Sequence, residues 1–142
     1  MSTPYRLVRT DNTRLVESLD GLIFPDDEPP EWDAAWLVVP TTPPEDPEPV
    51  GFCTARKIPG EPGAFLSRAG LLQCARGQGL QRRMIRVRER WARAEDLEYI
   101  LTYTRPDNYP SIMSLIRCGY RLYTPARYWG GSSSLYFVKA LT

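Results

Sequence analysis

The sequence predicts an α/β (α+β) fold, a mixed and mostly antiparallel central sheet of about seven strands flanked by helices. Three observations predict it. Short apolar or alternating runs recur between clusters of Pro, Gly, Asn and Asp, as strands between turns do. Three longer segments instead repeat their apolar residues at helical spacing. A glycine turn joins the last of three consecutive strand-like runs to the longest of these helices. The resulting order is β-α-β-β-β-α-β-α-β-β. A chain of 142 residues with no internal repeat reads as a single domain over 1–142, long enough to bury a core.

Tyr5-Arg6-Leu7-Val8-Arg9 alternates and forms the first strand. Asp11, Asn12 and Thr13 offer N-caps for a helix through Leu15, Val16, Leu19 and Leu22, interrupted near Gly21 and stopped by Pro25. Asp26 to Asp33 is an acidic, proline-containing loop. Ala35–Val39 and Val50–Arg56 form a hairpin pair. Their connection, Pro40 to Pro49, carries five prolines and three acids and reads as an exposed, semi-rigid loop. After the turn Pro59–Gly63, Ala64 to Gln73 gives a third meander strand leading directly into the glycine turn. The helix that follows has Leu80, Met84, Val87, Trp91 and Ala94 at alternating steps of four and three, one apolar stripe. Tyr99–Thr104 is a buried strand. Asn108 caps a second-half helix with Ile112, Leu115 and Ile116 inside, and Gly119 ends it. Tyr120–Tyr123 and Leu135–Ala140 are the last strands, joined by a loop containing Tyr128, Trp129 and Gly130.

Composition excludes several classes of function. No apolar run is long enough to span a membrane, and the polar start Met1-Ser2-Thr3-Pro4 predicts no signal peptide. Cys53, Cys74 and Cys118 lack paired spacing, which fits a reduced cytoplasmic setting. The absence of histidine removes Ser-His and Cys-His pairs and argues against a catalytic metal. The net charge of +1 hides a segregation: no basic residue lies between Arg14 and Arg56, whereas arginines dominate from Arg76 to Arg93. Such asymmetry points to an anionic ligand for one part, and either a cationic ligand or plain solvated charge for the other.

The anion has an address. In Arg76-Gly77-Gln78-Gly79-Leu80-Gln81-Arg82, two glycines allow close backbone approach, and the following helix start offers unpaired N–H groups and a positive dipole end. Together these suit a pyrophosphate.

The order of elements and this turn resemble the GNAT N-acetyltransferase superfamily. The family pattern Gln/Arg-x-x-Gly-x-Gly/Ala maps onto Arg76 to Gln81, departing only in the last small residue. Leu71 stands at the apolar strand position five residues before the arginine. Asn108, Ser111, Gly119 and Tyr120 match a second, downstream pattern. Small stand-alone members in bacteria and their viruses are similar in wording.

The resemblance implies acetyl-CoA as cosubstrate and an amine acceptor, with no metal. Backbone N–H groups from Gly77 to Arg82 would hold the pyrophosphate. The pantetheine would pair with strand backbone at Ala69, Gly70 and Leu71, where the Leu71 amide would polarise the thioester carbonyl. Asn108, with Ser111, would meet the cofactor's amide arm, or Asn108 would serve as a plain N-cap. Two departures bear on mechanism. Many members carry a Tyr acid seven residues after the Asn, and Leu115 stands there. Some carry a Glu base five residues before it, where Tyr103 stands. Tyr103, Tyr109 and Tyr123 could replace them or could simply pack.

The family's acceptor loops map to Asp26–Asp33 with Trp32 and to Tyr128–Ser134 with Trp129. Acid and aromatic rings suit a protonated amine, and equally a solvated loop with two anchoring tryptophans. Family homodimers are common, and the last strands could support one. Two alternatives stay open: a degenerate member that binds acetyl-CoA without turnover, and a nucleic-acid-associated anion-binding module. The acidic first half argues against nucleic acid. A dinucleotide oxidoreductase is disfavoured because Arg82 occupies the third glycine position.

Overall fold

The computed structural model describes residues 4–42 and 48–141. The expectations for Met1–Thr3 and for the middle of the Pro40–Pro49 loop lie outside the described residues. The elements are β1 (Tyr5–Thr10), α1 (Thr13–Ile23), β2 (Ala34–Pro40), β3 (Gly51–Lys57), β4 (Gly63–Leu71), a 3-10 turn (Gln73–Ala75), α2 (Leu80–Ala94), β5 (Tyr99–Thr104), α3 (Tyr109–Arg117), β6 (Arg121–Leu122) and β7 (Leu135–Ala140). The strands form one seven-stranded sheet in the order β1-β2-β3-β4-β5-β7-β6. Pairing is antiparallel for β1–β2, β2–β3, β5–β7 and β6–β7, and parallel for β4–β5. The predicted mixed, mostly antiparallel fold is the observed one. Among the described residues no helix is long and apolar enough to cross a membrane.

The chain divides into two compact units, Met1–Arg56 with Ser67–Leu80, and Lys57–Leu66 with Gln81–Thr142. In the first, alternate residues of β2 (Ala35, Leu37, Val39) and Phe52 of β3 meet Val16 and Leu19 of α1 in a core. Strand period two and helix period near four make that face continuous. Each of the Val, Leu and Phe side chains contributes about 1.5–3 kcal/mol on burial. Asn12 caps α1 by accepting from the Leu15 amide at 3.2 Å. The helix runs through Gly21 without interruption, because its backbone is satisfied as far as the Phe24 N–H donating to the Asp20 carbonyl at 2.7 Å. Leu22, expected on the apolar face, is exposed, and Asp20 is buried in the core instead.

In the second unit β5 pairs with β7 along its whole length, Tyr99 with Ala140 through Thr104 with Leu135. Gly63 of β4 lies against the Tyr99 ring, where a Cβ would not fit. The apolar stripe predicted for α2 is rotated. Met84, Ile85, Arg88, Glu89, Trp91 and Ala92 are buried, Val87 is half-buried and Ala94 is exposed. Two charged residues face inward because they find partners there. Glu89, 1% exposed, receives Lys139 Nζ at 3.0 and 3.1 Å, and the same ammonium donates to the Cys118 carbonyl at 2.7 Å. α3 begins at its predicted cap and ends at Gly119, whose φ of +91° requires glycine. Ile116, expected inside, is 51% exposed. β6 is reduced to two residues.

Candidate functional site

β4 ends at Leu71, and the chain does not enter the glycine turn directly. A single 3-10 turn, Gln73–Ala75, intervenes, with the Ala75 and Arg76 amides donating back to Leu72 and Gln73. Ala75 is buried and pins this turn, while Arg76, Gly77, Gln78 and Gly79 are all exposed. Gly77 and Gly79 have φ of +76° and +77°, the left-handed region that a side chain strongly disfavours. A Cβ at either would meet nothing within 4 Å. The requirement for glycine is therefore backbone conformation, and the space beside each Cα is open.

The local chemistry around this turn is cationic. Leu80, buried, anchors the first turn of α2, which holds no acid. Arg82 and Arg83 occupy that turn, so positive side chains sit at the positive dipole end. For a helix alone this is unfavourable by a few tenths of a kcal/mol or about 1 kcal/mol per charge. An anion reverses the sign. Arg76 is tied back to the strand: its Nε donates to the Leu71 carbonyl at 3.1 Å, leaving the guanidinium Nη groups beyond it. Gln78 Nε2 donates to the Cys74 carbonyl at 3.2 Å. The structure thus brings Leu71 and Arg76 together, as the sequence does not by itself require.

Ala69, Gly70 and Leu71 close β4. Gly70 and Gly51 are glycine for packing: a Cβ on Gly70 would lie 2.8 Å from both Ile23 and Phe24, and one on Gly51 2.6 Å from the Gly70 carbonyl. The Leu72 amide donates to the Val50 carbonyl at 2.7 Å, which fixes the strand end.

The second unit holds the other predicted residues. Asn108 and Ser111 meet each other: Asn108 Oδ1 accepts from the Ser111 amide at 3.3 Å and caps α3. Leu115 is buried. Tyr103 is 47% exposed, and its ring stacks edge-on against Trp129 at 5.0 Å and lies 6.1 Å from Tyr136. Gly130 lies flat against that ring, where a Cβ would come within 2.6 Å. Trp129 also contacts Phe65 at 4.9 Å.

The loop carrying Trp129 is built rather than loose. Tyr136 Oη accepts from the Gly130 amide and donates to the Gly131 carbonyl, both at 2.8 Å, and Ser134 Oγ donates to the Gly130 carbonyl at 2.7 Å. Beside it a cleft of about 380 Å³ is lined by Tyr123, Tyr128, Tyr136, Ser132 and Ser134 among others. In the first unit, Trp32 packs onto the core, and with Arg9, Asp11 and Asp33 it lines a second cleft of about 410 Å³. Both tryptophans therefore have an anchoring role.

Where ionisable groups are perturbed, the direction is upward. Burial raises Tyr99, Tyr120, Tyr123 and the Cys118 thiol, with Glu61 adding to the effect on Tyr99 and Glu89 on Tyr120. Such shifts make these groups weaker acids and no better as bases near neutrality. Among the described residues no cluster of three His, Cys, Asp or Glu side chains could hold a metal ion.

Sequence reasoning missed the buried pairs Asp20–Arg68 and Glu89–Lys139 and the Tyr136 hydroxyl network. A signal existed for the first: Asp20 follows Leu19 and lies four residues after Val16, on the apolar face. Glu89 similarly follows Ile85 at i+4.

Compared with known proteins, residues 9–120 match the sequence profile of the Acetyltransferase (GNAT) family. No curated protein matches the chain by sequence. Among solved structures, the NatC complex bound to Gag peptide and CoA contains a chain similar at TM-score 0.78 and 13% identity, covering 99% of this chain and 100% of that one. IAA acetyltransferase from Bacillus cereus is similar at TM-score 0.73 and 9% identity, covering 96% and 99%. The ribosomal-protein-S18-alanine N-acetyltransferase of Escherichia coli is similar at TM-score 0.70 and 10% identity, covering 97% and 94%. At these identities the likeness is one of fold.

Proposed function

The chain belongs to the Acetyltransferase (GNAT) family, and on that footing we propose that it moves an acetyl group from acetyl-CoA to a primary amine by direct attack. One observation carries the donor half of this reading. Gly77 and Gly79 are held in the left-handed region with open space at each Cβ position, between Arg76 and a helix start that holds arginines and no acid. Backbone amides from Gly77 through Gln81 and Arg82 are the proposed pyrophosphate ligands, with the Arg76 Nη groups adding charge. The strand residues Ala69, Gly70 and Leu71 are the proposed partners of the pantetheine. Asn108 Oδ1 is engaged in its cap, so only its amide nitrogen is assigned to the cofactor's amide arm, beside Ser111.

In the reaction the neutral amine attacks the thioester carbonyl carbon. The C–N bond forms, the C–S bond breaks, CoA leaves as a thiolate, and the nitrogen loses a proton to water or to the thiolate. The Leu71 amide is the proposed donor to the carbonyl oxygen, a fixed dipole that can contribute about 3 kcal/mol in the transition state. Bringing amine and thioester together supplies the rest through proximity. No proton carrier is assigned on the protein: Leu115 has none to give, and Tyr103 is read as a packing residue.

A second reading, binding of acetyl-CoA without turnover, is favoured by those same two residues. Incubating the protein with acetyl-CoA and a broad panel of amines, and following thiol release, separates the two. Amine-dependent thiol release supports transfer. Acetyl-CoA binding with no release above the amine-free rate for any amine supports the binding-only reading.

A further inference from the structure

Three residues before Leu71, Arg68 rises from β4 and holds three different partners at once. Its Nη1 donates to Asp20 Oδ1 at 2.7 Å and to the Glu28 carbonyl at 3.1 Å. Its guanidinium carbon lies 5.0 Å from the centre of the Phe24 ring. Asp20 is 1% exposed, so its carboxylate would be left without compensation if the guanidinium were removed. Two residues along the strand, Ile23 and Phe24 occupy the space where a Cβ of Gly70 would go. Within the segment from Phe24 to Glu28 the Asp27 N–H donates to the Phe24 carbonyl at 3.2 Å. Phe24 is held by the core and by Phe52 of β3, and Arg68 of β4 ties the far end down through the Glu28 carbonyl. One nitrogen, Nη1, bridges both acceptors while the flat guanidinium lies over the ring, a planar contact that an ammonium does not reproduce.

We propose that Arg68 is a positioning residue. It locks the segment 24–28, where the acidic loop begins, onto the stretch of β4 whose backbone is assigned to acyl-CoA. Ligand binding along Ala69–Leu71 then immobilises that segment. The inference rests on the acyl-CoA reading of this strand, and its consequence is that donor binding shapes the loop expected to meet the acceptor.

Amide hydrogen exchange tests it in the native chain, Arg68→Met and Arg68→Lys, each with and without saturating acetyl-CoA, with binding measured by calorimetry on the same samples. In the native chain acetyl-CoA should slow exchange at residues 24, 26, 27 and 28 by about tenfold or more, since local opening sets the rate. Arg68→Met should still bind acetyl-CoA and lose that protection. Arg68→Lys, which retains a charge for Asp20 and loses the planar group over Phe24, should show protection between the two, and it keeps the test alive if the Met variant does not fold. A merely structural arginine would raise exchange in the variants without abolishing the ligand's effect. Protection undiminished in either variant overturns the proposal. Binding without protection of 24–28 in the native chain overturns the coupling alone, whereas absence of acetyl-CoA binding overturns the acyl-CoA reading and the coupling with it.

Discussion

At Gly79 the backbone has φ of +77°, and no protein atom lies near the missing Cβ. Gly79→Val therefore meets no clash in the protein alone, and its expected penalty is backbone strain of about 1–3 kcal/mol. Acetyl-CoA binding should be lost altogether, because the side chain and the altered backbone remove the proposed pyrophosphate ligands. Circular dichroism and calorimetry check both halves, and a folded variant with native affinity would contradict the assignment. Tyr103 makes the opposite prediction. Its ring is held among Trp129, Tyr136 and Gly130, and Tyr103→Phe keeps those contacts. The maximal rate should fall by less than about threefold, against the hundredfold or more expected if the phenol carried a proton. Leu115→Tyr will not restore an acid simply: the site is buried, and overpacking should cost about 1–3 kcal/mol of stability.

Between elements, α2 meets β7 and the end of α3 through one buried carboxylate. Lys139→Met removes the closest cation from Glu89, with Arg86 Nη1 still 3.6 Å away. The expected loss is about 3–5 kcal/mol, read from denaturant unfolding. Tyr120, at the end of α3, has its hydroxyl buried near Glu89 without a hydrogen bond of good geometry. Burial first, and then Glu89, raises its pKa above the ordinary phenol value. The folded state thus holds this proton more tightly than the unfolded chain. Its contribution is fully present below about pH 10 and is lost as pH rises beyond it. Tyr120→Phe should be neutral or stabilising at pH 7 and should flatten the alkaline decline in stability, measured as unfolding free energy from pH 7 to 11. These same elements show what the sequence conveys. β5 and β7 appear at their expected bounds because short apolar runs between turn residues leave little choice. The face of α2 is misjudged because Arg88 and Glu89 count as solvated until Lys139, fifty residues beyond Glu89, is placed beside it.

For the whole chain, the residues proposed for the donor follow local rules of sequence more than those proposed for the acceptor. A backbone that must turn left-handed writes glycine into the sequence, and it does so twice within three residues, at Gly77 and Gly79. Asn108 as a cap is likewise a local rule. The acceptor side follows no such rule: an acid or a tryptophan in a loop serves packing as well as recognition. Trp32 sits on a core and Trp129 in an aromatic cluster. The fold does not choose an acceptor either, since 271 solved chains share it and those named above act under different names. Recognition of the acyl donor is therefore the central claim, and thermal unfolding with acetyl-CoA, CoA, NAD and ATP, each at equal concentration, tests it most directly. Acetyl-CoA at a hundred times its dissociation constant should stabilise the fold by about 2.7 kcal/mol, with CoA similar and NAD and ATP well below. An equal response to all four ligands, or none to acetyl-CoA, would contradict it.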